Sequence, residues 1–286
     1  MTIRPIDIGP FKLDGGAMFG VVPKTIWQKQ CPADDRNLCD WALRCLLVEN
    51  GNRLMIVDTG TGDKQDAKFF GFYDLPNGKT LTGAVEKAGY SVNDVTDVLL
   101  THLHFDHAGG AVRYADAGRT TLEATFPKAA YWSHSGQWDW ATNPNPRERA
   151  TYLRENFMPL QANGQLRFTD KEDLNLPGVD LLYMDGHTEK MTLPMFQLVG
   201  STGQPRTVVF CADLIPSVAH VPVPYVMGYD VRPLLTMDEK TQFLNRAVDE
   251  NWLLVFDHDP VYEAATVERT EKGIRVNEKG TLTELL

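Results

Sequence analysis

Three imidazoles and a carboxylate fall within six positions of the run Thr101-His102-Leu103-His104-Phe105-Asp106-His107-Ala108-Gly109-Gly110, directly after the apolar stretch Val98-Leu99-Leu100. Imidazole nitrogens and carboxylate oxygens are the usual ligands of zinc and related divalent ions. Alternate residues leaving a strand project to opposite faces, so His102 and His104 share one ion only if the chain bends into a loop there. Asp106 and His107 then stand where a helix can begin, near enough to hold a second ion. The whole chain carries 7 histidines, and three of them lie in this run, a density that a polar surface loop does not explain.

Four apolar segments supply the elements that must position such a site. Val98-Leu99-Leu100 ends in Thr101-His102, and Leu181-Leu182-Tyr183-Met184 ends in Asp185-Gly186-His187. Val208-Val209-Phe210-Cys211 ends in Ala212-Asp213, and Leu253-Leu254-Val255-Phe256 ends in Asp257-His258. Strands of one sandwich with helices outside would bring those ends to a single edge, where a rigid frame holds the loops. On this reading His102, His104 and His187 bind one ion, Asp106, His107 and His258 bind the second, and Asp213 bridges them. A carboxylate suits the bridge because its two oxygens can address two cations. Paired ions roughly 3.5–4 Å apart share a water and lower its pKa from 15.7 toward about 7, which makes hydroxide available at neutral pH.

Composition narrows the field. The chain has 286 residues, 43% hydrophobic and 23% charged, with 28 basic against 38 acidic side chains and a formal charge of −10. That length suits one αβ domain, and residues 1–286 are read as a single metallo-hydrolase domain. An acidic balance without a Lys/Arg cluster argues against nucleic acid. No apolar run approaches the roughly 20 residues of a membrane span, and the opening residues lack a secretory apolar core, so a cytoplasmic location without membrane association is expected. The four cysteines, Cys31, Cys39, Cys45 and Cys211, show no Cys-x-x-Cys spacing. Cys211 reads as a small core residue, and a Cys31–Cys39 pair is left open.

Further elements and residues can be placed. Ala42–Glu49 and Arg53–Asp58 read as a hairpin about Asn50-Gly51. Helices are expected near Leu81–Ala88, near Arg147–Asn156, and from a Thr236-x-x-Glu239 capping box through Asn251, with Phe243, Leu244, Ala247 and Val248 as its apolar stripe. Asp58 ends an apolar strand, where it can orient the histidine loop by hydrogen bonds or serve as a turn aspartate beside Gly60. His134 reads as structural or as a support that orients a ligand from behind. His220, seven residues past Asp213, either donates a proton in the pocket or caps a loop. The aromatic segment Ser133–Gly164 is long for a connection and is expected over the site mouth or at a subunit contact, which admits a homodimer.

At these residues the chain resembles the metallo-β-lactamase superfamily over essentially its whole length, because the ligand stations follow in the family's order from His102 to His258. The resemblance implies an α/β fold, a four-layer αβ/βα sandwich of two mixed sheets packed face to face with helices outside. His107 in the fourth motif position resembles the dinuclear hydrolases (lactonases, glyoxalase II-like thioesterases, phosphodiesterases) and departs from several classes of true β-lactamases. Asp14-Gly15-Gly16-Ala17-Met18-Phe19-Gly20-Val21-Val22-Pro23-Lys24, Ala219-His220 and Tyr229-Asp230 are similar to segments of quorum-quenching N-acyl homoserine lactone lactonases. That narrower resemblance implies that the N-terminal segment walls the substrate pocket, with Met18 and Phe19 as an apolar contact. Acyl-homoserine lactonases of this kind carry a tyrosine three residues after the bridging aspartate. Here Pro216 stands in that position, and His220 or Tyr225 is the candidate to replace it.

The expected activity is therefore hydrolysis of a lactone or ester by a metal-bridging hydroxide, with two divalent ions, Zn2+ foremost and Mn2+ or Fe2+ as alternatives. Asp106, besides ligation, is expected to protonate the leaving alkoxide. Phosphotriesters and thioesters are rival substrates for the same nucleophile. An oxidoreductase with iron at these ligands is a rival of another class, distinguished by colour and oxygen consumption. A metal-binding protein without catalysis is the third, disfavoured because every ligand station is filled.

Overall fold

A computed structural model describes residues 1–75, 80–200 and 203–286. Strands β1 (Thr2–Asp14), β2 (Leu38–Asn50), β3 (Arg53–Val57) and β4 (Asp97–Leu99) are followed by a small hairpin of β5 (Val112–Tyr114) and β6 (Leu122–Ala124). Strands β7 (Ala130–Ser133) and β8 (Leu166–Phe168) complete a first sheet of order β1-β2-β3-β4-β7-β8. The second sheet contains β9 (Val179–Met184), β10 (Met191–Val199), β11 (Pro205–Phe210), β12 (Leu253–Val255), β13 (Ala264–Thr270) and β14 (Gly273–Gly280), in the order β14-β13-β12-β11-β10-β9. Both sheets are mixed: β3, β4, β7 and β8 run parallel, as do β11 and β12, and the remaining pairings are antiparallel.

Side-chain alternation sorts each strand between two apolar layers. Met55 and Val57 of β3, with Leu99 of β4, pack in one cluster with Leu193, Val209 and Leu254 of the second sheet. Leu54 and Ile56, with Val98 and Leu100, face a second cluster containing Leu81 and Val85 of the helix Leu81–Lys87 and Trp138 of the helix Ser135–Thr142. The long helix Pro233–Asp249 buries Phe243, Leu244 and Ala247 in the first cluster, as the helical spacing requires. This is the α/β architecture expected, two sheets face to face with most helices outside.

Some local expectations shift. The β2–β3 hairpin forms, but Asn50 pairs with Arg53, so its two-residue turn is Gly51-Asn52, with Gly51 at φ 62°. Between Arg147 and Asn156 only the short 3-10 turn Arg154–Asn156 is helical. The long helix begins at Pro233, ahead of Thr236, because a proline with preset φ suits the first helical turn. Cys211 is buried as expected, and Cys31 and Cys39 are free thiols, the Cys39 Sγ donating to the Cys31 carbonyl at 3.3 Å. No helix among the described residues is long and apolar enough to cross a membrane.

Candidate metal centre

His102 and His104 leave the end of β4 in a loop that turns into the short helix Phe105–Ala108, which carries Asp106 and His107. The loop is pinned from β3. Asp58, in the left-handed region at φ 60°, accepts from the Thr101 amide and the Thr101 hydroxyl at 2.8 Å each. Its Oδ2 also accepts from His107 Nδ1 at 2.9 Å. Glycine is required behind the motif: a Cβ on Gly110 would stand 2.2 Å from the Thr59 carbonyl oxygen. Asp213 follows β11, after Ala212 at φ 42°, and His187 and His258 follow β9 and β12. A strained non-glycine conformation beside converging ligands is the kind of backbone that a site imposes.

The donor atoms meet in two buried groups that share Asp213. His102, His104, His187 and Asp213 form one, and His107, Asp213, Asp257 and His258 form the other, with the atoms of each group within 4.8 Å of one another. His104 Nδ1 lies 3.1 Å from His102 Nε2 and 3.2 Å from His187 Nε2. Asp213 Oδ2 lies 3.0 Å from His187 Nε2, and its Oδ1 lies 3.3 Å from His258 Nε2. Two donors about 2.0–2.2 Å from a tetrahedral ion stand roughly 3.4 Å apart, so this spacing fits divalent ions. His107 Nε2, His258 Nε2, Asp213 Oδ1 and Asp257 Oδ2 are all buried without a hydrogen-bond partner. Orphaned lone pairs that converge are what a cation satisfies. Asp106 approaches from the open side, its Oδ2 3.9 Å from His107 Nε2 and 3.8 Å from His258 Nε2.

The remaining ring nitrogens fix the tautomers. Carboxylates and carbonyls only accept, so His107 Nδ1, His187 Nδ1 and His258 Nδ1 carry the proton toward Asp58, Asp230 (2.9 Å) and the Ala42 carbonyl (2.8 Å). Each Nε2 lone pair is thereby left for an ion. His104 is reversed: its Nδ1 faces the site, and its Nε2 lies 3.5 Å from Glu148 Oε1. Glu148 is buried, a state that alone would raise its carboxyl. The His104 edge, the Thr188 hydroxyl at 2.7 Å and Trp140 Nε1 at 2.7 Å outweigh burial and hold it at about 2.

Electrostatics of the protein alone follow the same lines. Burial, with the His107 and His104 rings nearby, holds His102 well below the usual imidazole range and therefore neutral. Burial opposes charge on His187 too, but Asp213 and Asp230 raise it to about 10. For His258, Asp257 and Asp213 overcome burial and raise it to about 9. Burial also lifts the Asp257 carboxyl above the ordinary carboxylate range. Ion binding must therefore displace protons from this centre.

A cavity of about 320 Å³ opens onto the ligands. Its floor includes His104, Asp106, His187, Asp213 and His258, and its walls include Leu13, Met18, Tyr73, Phe105, Met227 and Tyr229. Arg147, Glu148, Ala150 and Thr151 line it as well, so part of the Ser133–Gly164 segment borders the cavity. Met18 is in the wall, but Phe19 is not; Phe19 is fully buried between Trp27 and His220, stacked on both at 5.3 and 4.5 Å. His220 is not the pocket's proton donor: it is buried, its Nδ1 lies 2.7 Å from Ser217 Oγ, and its Nε2 donates to the Met18 carbonyl at 2.9 Å. Burial lowers it to about 3, so it stays neutral and anchors the N-terminal wall. Tyr225 also stays out of the cavity lining, its ring edge-on to Phe19. The phenols that face the cavity are Tyr73 and Tyr229. Tyr229 is 39% exposed, yet burial of its hydroxyl end, with Tyr73 and Asp106 nearby, raises its phenol.

Asp257 and Glu148 were not anticipated from sequence. Asp257 is adjacent to His258 and could have been singled out in the run Asp257-His258-Asp259, whereas Glu148 lies in a charged segment without a pattern.

Comparison with known proteins agrees with this geometry. The family model described as metallo-beta-lactamase superfamily matches residues 43–258. A probable metallo-hydrolase of Mycobacterium tuberculosis is 28% identical over 256 residues, covering 78% of this chain and 77% of that protein. An N-acyl homoserine lactonase of Bacillus cereus is 25% identical over 162 residues, covering 53% of this chain and 57% of its own length. Among solved structures, a probable metal-dependent hydrolase from Staphylococcus aureus superposes with a TM-score of 0.85 at 27% identity, covering 98% and 96% of the two chains. A dizinc quorum-quenching lactonase in complex with a product has the same fold, with a TM-score of 0.75 at 20% identity over 96% and 93% of the chains. The chain belongs to the metallo-beta-lactamase superfamily and is a metal-dependent hydrolase.

Proposed function

We propose that this protein opens lactones or closely related esters at a dinuclear centre, with residues 1–286 acting as one metallo-hydrolase domain. His102, His104 and His187 would hold one ion, and His107 and His258 the other, with Asp213 between them and Asp106 at the open side. Zn2+ is the preferred pair, and Mn2+ or Fe2+ the alternatives with the same donor chemistry. When bound, two such ions supply activated water at neutral pH and polarise the substrate carbonyl. The observation that carries the substrate class is the cavity: a ligand floor beneath walls of Leu13, Met18, Phe105 and Met227 accepts a carbonyl head with an apolar tail.

The chain's own groups then divide the work. Asp106, within reach of both imidazoles and the cavity, takes the proton of the attacking water and returns it to the alkoxide released from the ring. The Tyr229 phenol, kept protonated by its surroundings, donates to the oxygen on which charge develops. It takes the part for which a tyrosine at position 216 would be expected, from a different loop. Met18 and its neighbours exclude water and seat the acyl chain.

The test is metal-loaded enzyme on γ- and δ-lactones of graded chain length, beside aryl esters, a thioester and a phosphotriester. Turnover of lactones that rises with acyl length is expected. Turnover of the phosphotriester or thioester with lactones untouched would overturn the substrate reading.

A further inference from the structure

One buried carboxylate at this centre lies outside the seven ligand stations read from sequence. Asp257 is 2% exposed, and its two oxygens are not equivalent. Oδ1 accepts from the His258 amide at 3.0 Å. Oδ2 has no hydrogen-bond partner and lies 3.7 Å from His258 Nε2. It belongs to the same group of donor atoms as His107 Nε2 and Asp213, all within 4.8 Å of one another. The buried Arg44 spends its guanidinium on the Phe256 and Asp259 carbonyls, at 2.5 and 2.9 Å. A buried carboxylate oxygen left bare is costly, and the side chains around it offer three further orphaned lone pairs. Donors arranged in this way describe an ion's coordination shell seen from the protein side.

We propose that Asp257 Oδ2 is a ligand of the second ion, held from the core side, so that Asp106 on the cavity side is not needed to retain that ion. The inference rests on the dinuclear reading and deepens it. Asp257 is fixed between β12 and its own backbone bond, whereas Asp106 sits at the start of a one-turn helix facing open space. A rigid inner carboxylate can keep the ion in place while the outer one moves with a proton. The second site then counts more oxygen donors than the first, which is rich in histidine. Harder ions such as Mn2+ should therefore compete better at the second site than at the first.

The test uses full-length protein stripped of metal and reloaded with Zn2+, with bound equivalents measured by elemental analysis after gel filtration and affinities by chelator competition. Wild type is expected to hold two equivalents. D257N should hold the first as wild type does and bind the second at least tenfold more weakly, with D257E recovering it. D106N should keep the second equivalent within about threefold. Circular dichroism checks each fold, and D257S serves if D257N is unfolded. Unchanged binding of both equivalents by the folded Asp257 variants would overturn the proposal, as would a wild type that binds one equivalent. Lactone hydrolysis is assayed separately: two equivalents bound with no lactone opened would sink the substrate reading while leaving the assignment of Asp257 intact.

Discussion

Histidine ligands are only as good as the groups behind them, and here each ring is held by a different partner. His187 depends on Asp230, which is itself fixed by the Met227 amide at 3.0 Å. Replacing Asp230 by Asn leaves a group whose amide can present the wrong face to Nδ1, so D230N should lose 10–100-fold in ion affinity or activity. Elemental analysis against a chelator series, together with kcat/KM, checks this. Tyr229 makes a different kind of contribution on the proposed reading, because it lines the cavity rather than backing a ligand. Y229F should lower kcat about 10–100-fold, with KM little changed and metal content at the wild-type level. Equal kcat for the two proteins would remove Tyr229 from the chemistry. His220, by contrast, holds the wall by its bond to the Met18 carbonyl, so H220A should show itself first in thermal stability.

The helix Pro233–Asp249 ties down two site loops from outside the ligand set. Glu239, the residue that fits a capping box by sequence, accepts instead from the Asp185 and Gly186 amides at 2.7 and 3.0 Å, just before His187. Lys240 is fully buried and donates to the carbonyls of His220, Pro222 and Tyr225 at 2.7, 3.2 and 2.8 Å. Burial lowers its pKa to about 7. The folded state therefore releases this proton near pH 7, whereas the unfolded chain keeps it to about 10.4. Between those values the unfolded state binds more protons, so this residue's contribution to stability rises with pH, by up to about 1.4 kcal/mol per pH unit. K240M orphans three carbonyls and should be destabilised at every pH. Its deficit against wild type should widen from pH 7 to pH 10, as read by urea unfolding. A deficit independent of pH would mean that Lys240 stays charged. The glycines of the histidine loop are similarly exacting: G110A places a methyl against the Thr59 carbonyl and should cost about 2 kcal/mol or more, visible as a lower Tm.

At the scale of the molecule, two sheets and their covering helices form a frame that closes only where four strand ends meet. Without ions, the buried carboxylates hold protons on the imidazoles of His187 and His258, as their raised values indicate, so ions compete with protons for this centre. Ions that bind the folded chain alone stabilise it by mass action, so metal removal should lower the Tm by several degrees or more and readdition should restore it. The cavity's apolar wall makes the second prediction at this scale. M18A should lose more kcat/KM on long-chain lactones than on short ones, because the lost contact lies with the tail. A uniform loss across chain lengths would place Met18 away from the acyl path.

The ligand run from His102 to His107, and the distant His187, Asp213 and His258, could be read from sequence because residue type and strand-end position are local properties. The sheet alternation of β3 and β4 and the stripe of the helix Pro233–Asp249 were legible for the same reason. What tertiary structure decided is which side chains share a space. A histidine seven residues after Asp213 becomes a stacking partner of Phe19, a tyrosine from another loop enters the cavity, and Glu148 crosses to His104. Asp257 turns a bare oxygen toward the same centre as Asp106. Direction and contact arise from packing between elements far apart in the chain, and no spacing along one strand encodes them.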